Sequence, residues 1–136
     1  MNQIAPSAGT VLLIEDDDAS QYVYGTVLTH HGFSVVPART GLLGLELLEG
    51  PLPDVVVLDI GLPGLDGFEL LARIRADPRT ASLPVLVVTV HVFEADQARA
   101  EQAGCDVFLK KPLQPALLAA EVERILARTQ PPPEPV

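Results

Sequence analysis

The 136-residue sequence predicts a single α/β domain with a doubly wound, five-stranded parallel sheet. Short apolar runs, most of them rich in valine, alternate five times with segments of helical spacing. Three of these runs are continuously apolar, which is typical of parallel strands covered on both faces. Because crossovers are right-handed and the chain is too short for an eight-stranded barrel, an open sheet of order 2-1-3-4-5 is favoured.

The strands are predicted from runs of apolar and β-branched residues, which suit a buried, pleated position. Each run is followed by polar, glycine or proline residues that end it. The five predicted strands are Val11–Ile14, Phe33–Val36, Val55–Leu58, Val85–Val88 and Val107–Leu109.

Five helices are predicted after these strands. Residues 18–31 carry apolar side chains at helical spacing, and residues 40–49 are rich in leucine but weakened by two glycines. Residues 66–76 run from a capping aspartate to a proline breaker, residues 93–103 are rich in alanine, and residues 115–128 begin with proline. The side chains expected to face inward are Tyr22, Val23, Val27 and Leu28 in the first helix, Leu70, Leu71 and Ile74 in the third, and Leu118, Val122 and Ile125 in the fifth.

The two ends of the chain are predicted to lie outside the domain. Residues 1–9 are expected to be flexible, residues 10–128 to form the domain, and the proline-rich residues 129–136 to be extended or disordered. The first ten residues have no basic side chain and no long apolar stretch, and no apolar region is long enough to span a bilayer. We expect a cytoplasmic protein, either complete or excised from a longer one.

The charge balance argues against nucleic acid and membranes as partners. Nine Lys and Arg residues stand against 18 Asp and Glu residues, which gives a formal net charge of -9. Such a surface repels phosphate backbones and anionic lipid headgroups. The single cysteine, Cys105, excludes an internal disulfide, and we expect it to pack in the core.

Polar residues follow four of the five predicted strands. Glu15 and Asp16 follow strand 1, Asp59 follows strand 3, Thr89 follows strand 4, and Lys111 comes after strand 5. The carboxyl ends of parallel strands lie at one edge, and strands 1 and 3 are neighbours in this order. Carboxylates this close raise one another's pKa unless a cation lies among them, and Mg2+ prefers oxygen ligands. Together these groups predict a phosphoryl-binding site with Asp59 as the nucleophile.

This pattern resembles the receiver domain of two-component response regulators, in the stand-alone form of the chemotaxis regulators. The segments that carry the resemblance are VLLIEDDD, PDVVVLDIGLPGLDGFEL, PVLVVTV and GCDVFLKKPL, and it extends over residues 10–128. The resemblance implies a flavodoxin-like (βα)5 fold. It also implies a phosphorylation-dependent switch, and no enzyme activity beyond self-phosphorylation from a donor and self-dephosphorylation.

The resemblance assigns a metal site and a modified residue. Mg2+ is expected on Glu15, Asp16, Asp59 and the backbone carbonyl of Gly61, with Asp16 as the direct ligand of the acidic pair. Asp59 is expected to become a 4-aspartylphosphate, and the Lys111–Pro112 bond is expected to be cis. Many family members carry a polar side chain where this chain has Gly61, so we expect that flank of the site to be open.

Five more positions are assigned to phosphoryl contact, switching and timing. Thr89 and Lys111 are expected to contact the phosphoryl oxygens, and Phe108 matches the aromatic residue whose rotamer follows phosphorylation. Val90 stands where the family usually carries Ala or Gly, and its larger side chain is expected to narrow access to Asp59. His91 is expected to overhang the site and modulate hydrolysis, the alternative being a bystander role.

The resemblance also implies partners. A histidine kinase or histidine phosphotransfer protein is the expected phosphodonor, and an unidentified protein is the expected target. The binding face is expected on helix 4, strand 5 and helix 5, which is also the candidate homodimer contact. Two alternatives remain open: a degenerate receiver that binds without phosphorylation, and a Mg2+-dependent aspartyl-phosphate phosphohydrolase. The phosphohydrolase is disfavoured because it needs a second acid/base, and Gly61 supplies no carboxylate.

Overall fold

The computed structural model of the protein describes residues 7–91 and 93–129. Five strands form one parallel sheet of order β2-β1-β3-β4-β5, so the predicted doubly wound topology is confirmed. The predictions for residues 1–6 and 130–136 lie outside the described residues. The elements, in chain order, are β1 (Thr10–Ile14), α1 (Asp18–His30), β2 (Ser34–Ala38), α2 (Gly41–Leu47), β3 (Val55–Leu58), α3 (Gly67–Ala76), β4 (Val85–Thr89), α4 (Glu94–Ala103), β5 (Val107–Lys110) and α5 (Pro115–Thr129).

The core consists of apolar layers on both faces of the sheet. Successive strand residues point to opposite faces, so Val11 and Leu13 of β1 pack with α1 and α5, and Leu12 and Ile14 pack with α2 and α3. The predicted inward-facing residues of α3 are confirmed as buried: Leu70, Leu71 and Ile74. Because the central strands are buried on both faces, their sequences consist of consecutive apolar residues.

Helix α1 presents a different face to the core from the one predicted. Tyr24 and Leu28 are buried, whereas Tyr22 is 75% exposed and Val23 is 41% exposed. Tyr24 and Leu28 are four residues apart and share one face, while Tyr22 lies about 200° around the helix from Tyr24. Val27, also predicted to face inward, is partly buried against the same layer. The prediction was wrong for Tyr22 and Val23 because α1 carries apolar residues on more than one face.

Strand β2 runs two residues beyond its predicted end. It pairs with β1 from Ser34 to Ala38, with Pro37 opposite Leu13. Proline is tolerated in an edge strand, where its missing N–H can point away from the neighbouring strand. Because proline usually interrupts a strand, the sequence pattern placed the end at Val36.

Helices α1, α2 and α3 begin with capping side chains, whereas α4 does not. Asp17, Thr40 and Asp66 each accept a hydrogen bond, 2.9–3.0 Å long, from the backbone N–H three residues later. No side-chain cap precedes α4, which starts after Phe93 and buries only Ala100 among its own residues. Helix α4 therefore has weaker local stabilisation at its start than the three capped helices.

Helix α5 agrees with its prediction. It begins at Pro115, and its buried stripe contains Leu118, Val122 and Ile125. At 15 residues it is shorter than the roughly 20 apolar residues that a membrane span needs. Throughout residues 7–91 and 93–129, no helix has the length and apolar character to cross a membrane.

Cys105 follows α4 and is half-buried, not fully buried as the core prediction implies. Its side chain packs against two apolar clusters near α3 and β4. Burial, and then the negative charges of Glu101 and Asp106, raise the pKa of the thiol to about 11. The thiol is therefore protonated at neutral pH and behaves as a packing group.

Candidate functional site at the carboxyl edge of the sheet

Four strand ends bring the predicted polar residues to one edge of the sheet. Glu15 follows β1 and Asp59 follows β3, and these two strands are hydrogen-bonded neighbours. Thr89 ends β4, and the N–H of Lys111 donates to the Thr89 carbonyl over 2.8 Å. The Lys111–Pro112 bond is cis, which confirms the prediction. The parallel topology thus assembles residues that are up to 96 positions apart in the chain.

Three carboxylates form a cluster that fits Mg2+. Glu15, Asp16 and Asp59 each offer an oxygen atom, and these atoms lie within 4.8 Å of one another. Glu15 and Asp59 are buried, and Asp16 is exposed at the rim. Oxygens that share an octahedral Mg2+ lie about 3–4 Å apart, so small side-chain adjustments bring the three onto one ion. The N–H of Gly61 donates to Asp59 Oδ1 over 2.9 Å and holds the loop against the cluster.

Lys111 supplies the positive charge of the site. Its ammonium contacts Glu15 Oε1, and it lies 3.3 Å from Asp59 Oδ2 and 3.4 Å from Ser20 Oγ. Burial alone lowers the pKa of Lys111, but the hydrogen bond to Glu15 and the charge of Asp59 outweigh burial and raise it. Lys111 is therefore fully charged at neutral pH.

The site nevertheless has an excess of negative charge. Burial raises the pKa of Glu15 above 4.5 and the charge of Asp59 adds to this, although Lys111 opposes it. Three carboxylates and one ammonium leave two formal negative charges, which is the charge that one Mg2+ neutralises. The electrostatics of the edge therefore favour a divalent cation.

Thr89 and Phe108 lie on β4 and β5, the two strands that follow β3 in the sheet. The Thr89 side chain is fully buried, and its Oγ1 accepts a hydrogen bond from the His91 N–H over 3.1 Å. Phe108 on β5 is half-buried against a small apolar cluster that contains Val87 of β4 and Ala100 of α4. These two residues therefore connect the polar edge with α4 and β5.

His91 covers the flank that the sequence predicted to be open. A Cβ atom added at Gly61 would overlap His91 Nε2 and lie 2.7 Å from His91 Cδ2. The missing side chain at Gly61 creates room that the imidazole ring occupies, which the sequence did not reveal because these positions are far apart. Val90 is 62% exposed and, with Lys111, borders a groove of about 340 Å³ between α1 and the start of α5.

Ser20, Tyr24 and Gly67 lie near the site and were not predicted from the sequence to be there. Ser20 and Tyr24 of α1 approach Lys111, with 5.8 Å between the ammonium and the centre of the Tyr24 ring. Gly67, at the start of α3, packs directly on the backbone of Asp59. Ser20 and Tyr24 could have been found from the sequence, because they are four residues apart on a predicted helix that begins just after the acidic run. Gly67 could have been found because it directly follows a capping aspartate at a predicted helix start.

This strand order, with an acidic cluster, a threonine and a lysine at the carboxyl edge, defines the class of receiver domains. The family model described as the response regulator receiver domain matches residues 11–123. The chain belongs to this family. Receiver domains of two-component systems interact with histidine kinases or phosphotransfer proteins, and Mg2+ binding and phosphorylation are general features of the family.

Curated relatives include regulators of two sizes. The transcriptional regulatory protein AfsQ1 of Streptomyces coelicolor is 40% identical over 119 residues, which cover 88% of this chain and 52% of AfsQ1. The protein PilH of Pseudomonas aeruginosa is 32% identical over 117 residues, which cover 86% of this chain and 97% of PilH. The chain thus spans about half the length of AfsQ1 and nearly all of PilH.

Solved structures show the same fold. The receiver domain of the sensor histidine kinase PA1611 from Pseudomonas aeruginosa has a TM-score of 0.78 and 30% identity, covering 90% of this chain and 97% of that one. A magnesium ion is coordinated in its active site cleft. A CheY-like receiver domain protein from Methanospirillum hungatei has a TM-score of 0.84 and 25% identity, covering 90% and 96% of the two chains.

Proposed function

We propose that the domain is a signalling switch that accepts a phosphoryl group on Asp59 from a phosphohistidine of a histidine kinase or phosphotransfer protein. The observation that carries this proposal is the buried Asp59 carboxylate, which lies beside two further carboxylates and 3.3 Å from the Lys111 ammonium. We place the reaction in the cytoplasm and expect a protein partner, since a net charge of -9 disfavours nucleic acid.

The chemistry is an in-line displacement. An oxygen of Asp59 forms a bond to phosphorus while the N–P bond of the phosphohistidine breaks and its electron pair returns to the imidazole. When Mg2+ is bound by Glu15, Asp16, Asp59 and the Gly61 carbonyl, it neutralises charge on the transferred oxygens. Lys111, already at the Asp59 carboxylate, then donates to a phosphoryl oxygen. Attack of water on phosphorus releases phosphate and restores the carboxylate.

Switching is proposed to begin at Thr89. Its hydroxyl accepts a hydrogen bond from the His91 N–H, so a movement of Thr89 that lets the O–H donate to a phosphoryl oxygen is expected to carry His91 and the segment before α4 with it. The half-buried Phe108 then turns inward, which changes the face formed by α4, β5 and α5. Because the phosphoryl group favours one of two states, the output is a shift in binding to a target or to a second copy.

Self-dephosphorylation is proposed as the only turnover, so the domain is not an enzyme with an external substrate. Gly61 offers no side-chain acid or base, and His91, whose imidazole lies above it, is exposed. A phosphohydrolase would instead turn over small phosphate esters, which is a direct way to distinguish the two functions.

Asp59 is expected to be required for labelling by a small acyl phosphate. Wild-type protein incubated with acetyl phosphate and Mg2+ should gain one phosphoryl adduct in its intact mass. Asp59→Asn should gain none, because an amide oxygen is a poor nucleophile. Asp96→Asn, the same change on α4, is the matched control and should behave as wild type.

An unlabelled wild type, in conditions where another receiver is labelled, would contradict the proposal and favour a degenerate, phosphorylation-independent module. Equal labelling of Asp59→Asn and wild type would exclude Asp59 as the acceptor.

Replacement of His91 by alanine is expected to speed hydrolysis of the phosphorylated state several-fold. The ring covers the Gly61 flank of Asp59, and its removal admits water to that side. The decay of the adduct after removal of the phosphodonor measures this rate. Slower decay in His91→Ala would indicate instead that the imidazole activates the attacking water. His30→Ala, at the exposed end of α1, is the control.

A further inference from the structure

Gln21 of α1 reaches back to the carboxyl edge of the sheet. Its side-chain nitrogen Nε2 lies 3.0 Å from the Leu13 carbonyl oxygen, 3.1 Å from that of Glu15 and 3.2 Å from that of Ala38. The side chain is half-buried, so these contacts are partly shielded from water. The Gln21 amide therefore lies within hydrogen-bond distance of backbone carbonyls at the ends of both β1 and β2.

These contacts fix the backbone on both sides of the Glu15 side chain. The Glu15 N–H donates to the Ala38 carbonyl over 2.9 Å, and that same carbonyl accepts from Gln21. The Glu15 carbonyl accepts from Gln21 directly. The carboxylate of Glu15 then projects to the Lys111 ammonium and the acidic cluster.

We propose that Gln21 is a positioning residue for the cation and phosphoryl site, acting through the backbone of Glu15. This inference rests on the proposed function. Gln21 itself contacts neither Lys111 nor the three carboxylate side chains in its described hydrogen bonds. Residues that hold a metal ligand in its orientation without contacting the metal commonly matter for affinity. When such a residue is replaced, metal binding weakens because the ligand is no longer fixed in direction.

Two near-isosteric variants test the hydrogen bonds separately from charge. Gln21→Met keeps the length of the side chain and removes the donor. Gln21→Glu also removes the donor but adds a negative charge near the cation site, which by charge alone would tighten Mg2+ binding. Gln97→Met and Gln97→Glu are the matched controls on α4, where the Gln97 amide donates to Glu101 over 3.1 Å.

Mg2+ affinity measured by titration calorimetry is the main readout, together with unfolding by urea. Both Gln21 variants are expected to bind Mg2+ roughly tenfold more weakly than wild type, and both Gln97 variants are expected to bind as wild type. Unchanged affinity in Gln21→Met, or tighter binding in Gln21→Glu, would overturn the inference, even if stability fell. Wild-type protein that binds no Mg2+ would overturn the proposed function as well, so the two failures are distinguishable.

Discussion

Replacement of Gly67 by alanine is expected to destabilise the fold by about 3 kcal/mol, because the new methyl group has no room. A Cβ atom there would lie 2.8 Å from the Asp59 carbonyl oxygen and 3.0 Å from that of Ile60, and it would overlap Ile60 Cα. All these atoms belong to the backbone, so no side-chain rotation relieves the contact. The Gly67 N–H also donates to the Ile60 carbonyl over 2.9 Å, which holds α3 against the loop after β3.

Urea unfolding followed by circular dichroism measures this effect. Gly25→Ala is the matched control, because a Cβ added there has no atom within 4 Å apart from its chain neighbours and the backbone of its own helix. Gly25 lies inside α1, so alanine there should stabilise by about 0.5–1 kcal/mol. If Gly67→Ala were as stable as wild type, the backbone of Asp59 and Ile60 would be able to move away from the new methyl group with no loss of unfolding free energy. That result would contradict the tight packing described here.

Replacement of Lys111 by methionine is expected to lower stability by about 3–5 kcal/mol at neutral pH without Mg2+. The change leaves the buried carboxylates of Glu15 and Asp59 without the cation that now contacts both. The two side chains are only 3% and 10% exposed, so water compensates them poorly. Added Mg2+ should restore part of the loss, because it binds the folded state and replaces the missing charge.

The penalty of Lys111→Met should grow as the pH rises. The pKa of Glu15 is raised in the folded state, so its contribution to stability is fully present below its unfolded value of 4.5 and is lost as pH rises through its folded pKa. Lys111 opposes this rise, and without Lys111 the pKa of Glu15 moves further up and the loss increases.

Urea unfolding across about pH 4 to 8 measures this dependence, because it spans the ordinary pKa of a glutamate and the region above it. Lys110→Met, which changes the exposed neighbouring lysine, should show little penalty at any pH. A penalty for Lys111→Met that stays constant with pH, or that equals the penalty for Lys110→Met, would contradict the electrostatic description of the site.

Much of the fold was predictable because its signals are local. Burial on both faces makes each central strand continuously apolar, and helix starts at Asp66 and Pro115 have recognisable residues. The buried face of α1 was not predictable, because Tyr22 and Tyr24 have the same large aromatic side chain, and only packing on α5 and the sheet distinguishes them. The end of β2 was hidden because proline in an edge strand looks like a break.

The candidate site was predictable where topology alone assembles it. Strand ends of a parallel sheet meet at one edge, so Glu15, Asp59 and Lys111 were placed together from the sequence. The contacts of Gln21 depend on the exact position of α1 over the strands, which no local pattern encodes. The sequence predicted that His91 overhangs the site, but the position of its ring in the space above Gly61 depends on the path of a loop, and that detail escaped prediction.

The most direct test of the central claim is to locate the phosphoryl group on the chain. Protein treated with acetyl phosphate and Mg2+ is reduced with borohydride, which converts an aspartyl phosphate to homoserine, and peptide fragmentation then identifies the residue. Homoserine is expected at position 59 and at no other acidic residue. Homoserine at Asp16 or elsewhere, or its absence from a folded protein that binds Mg2+, would contradict the central claim.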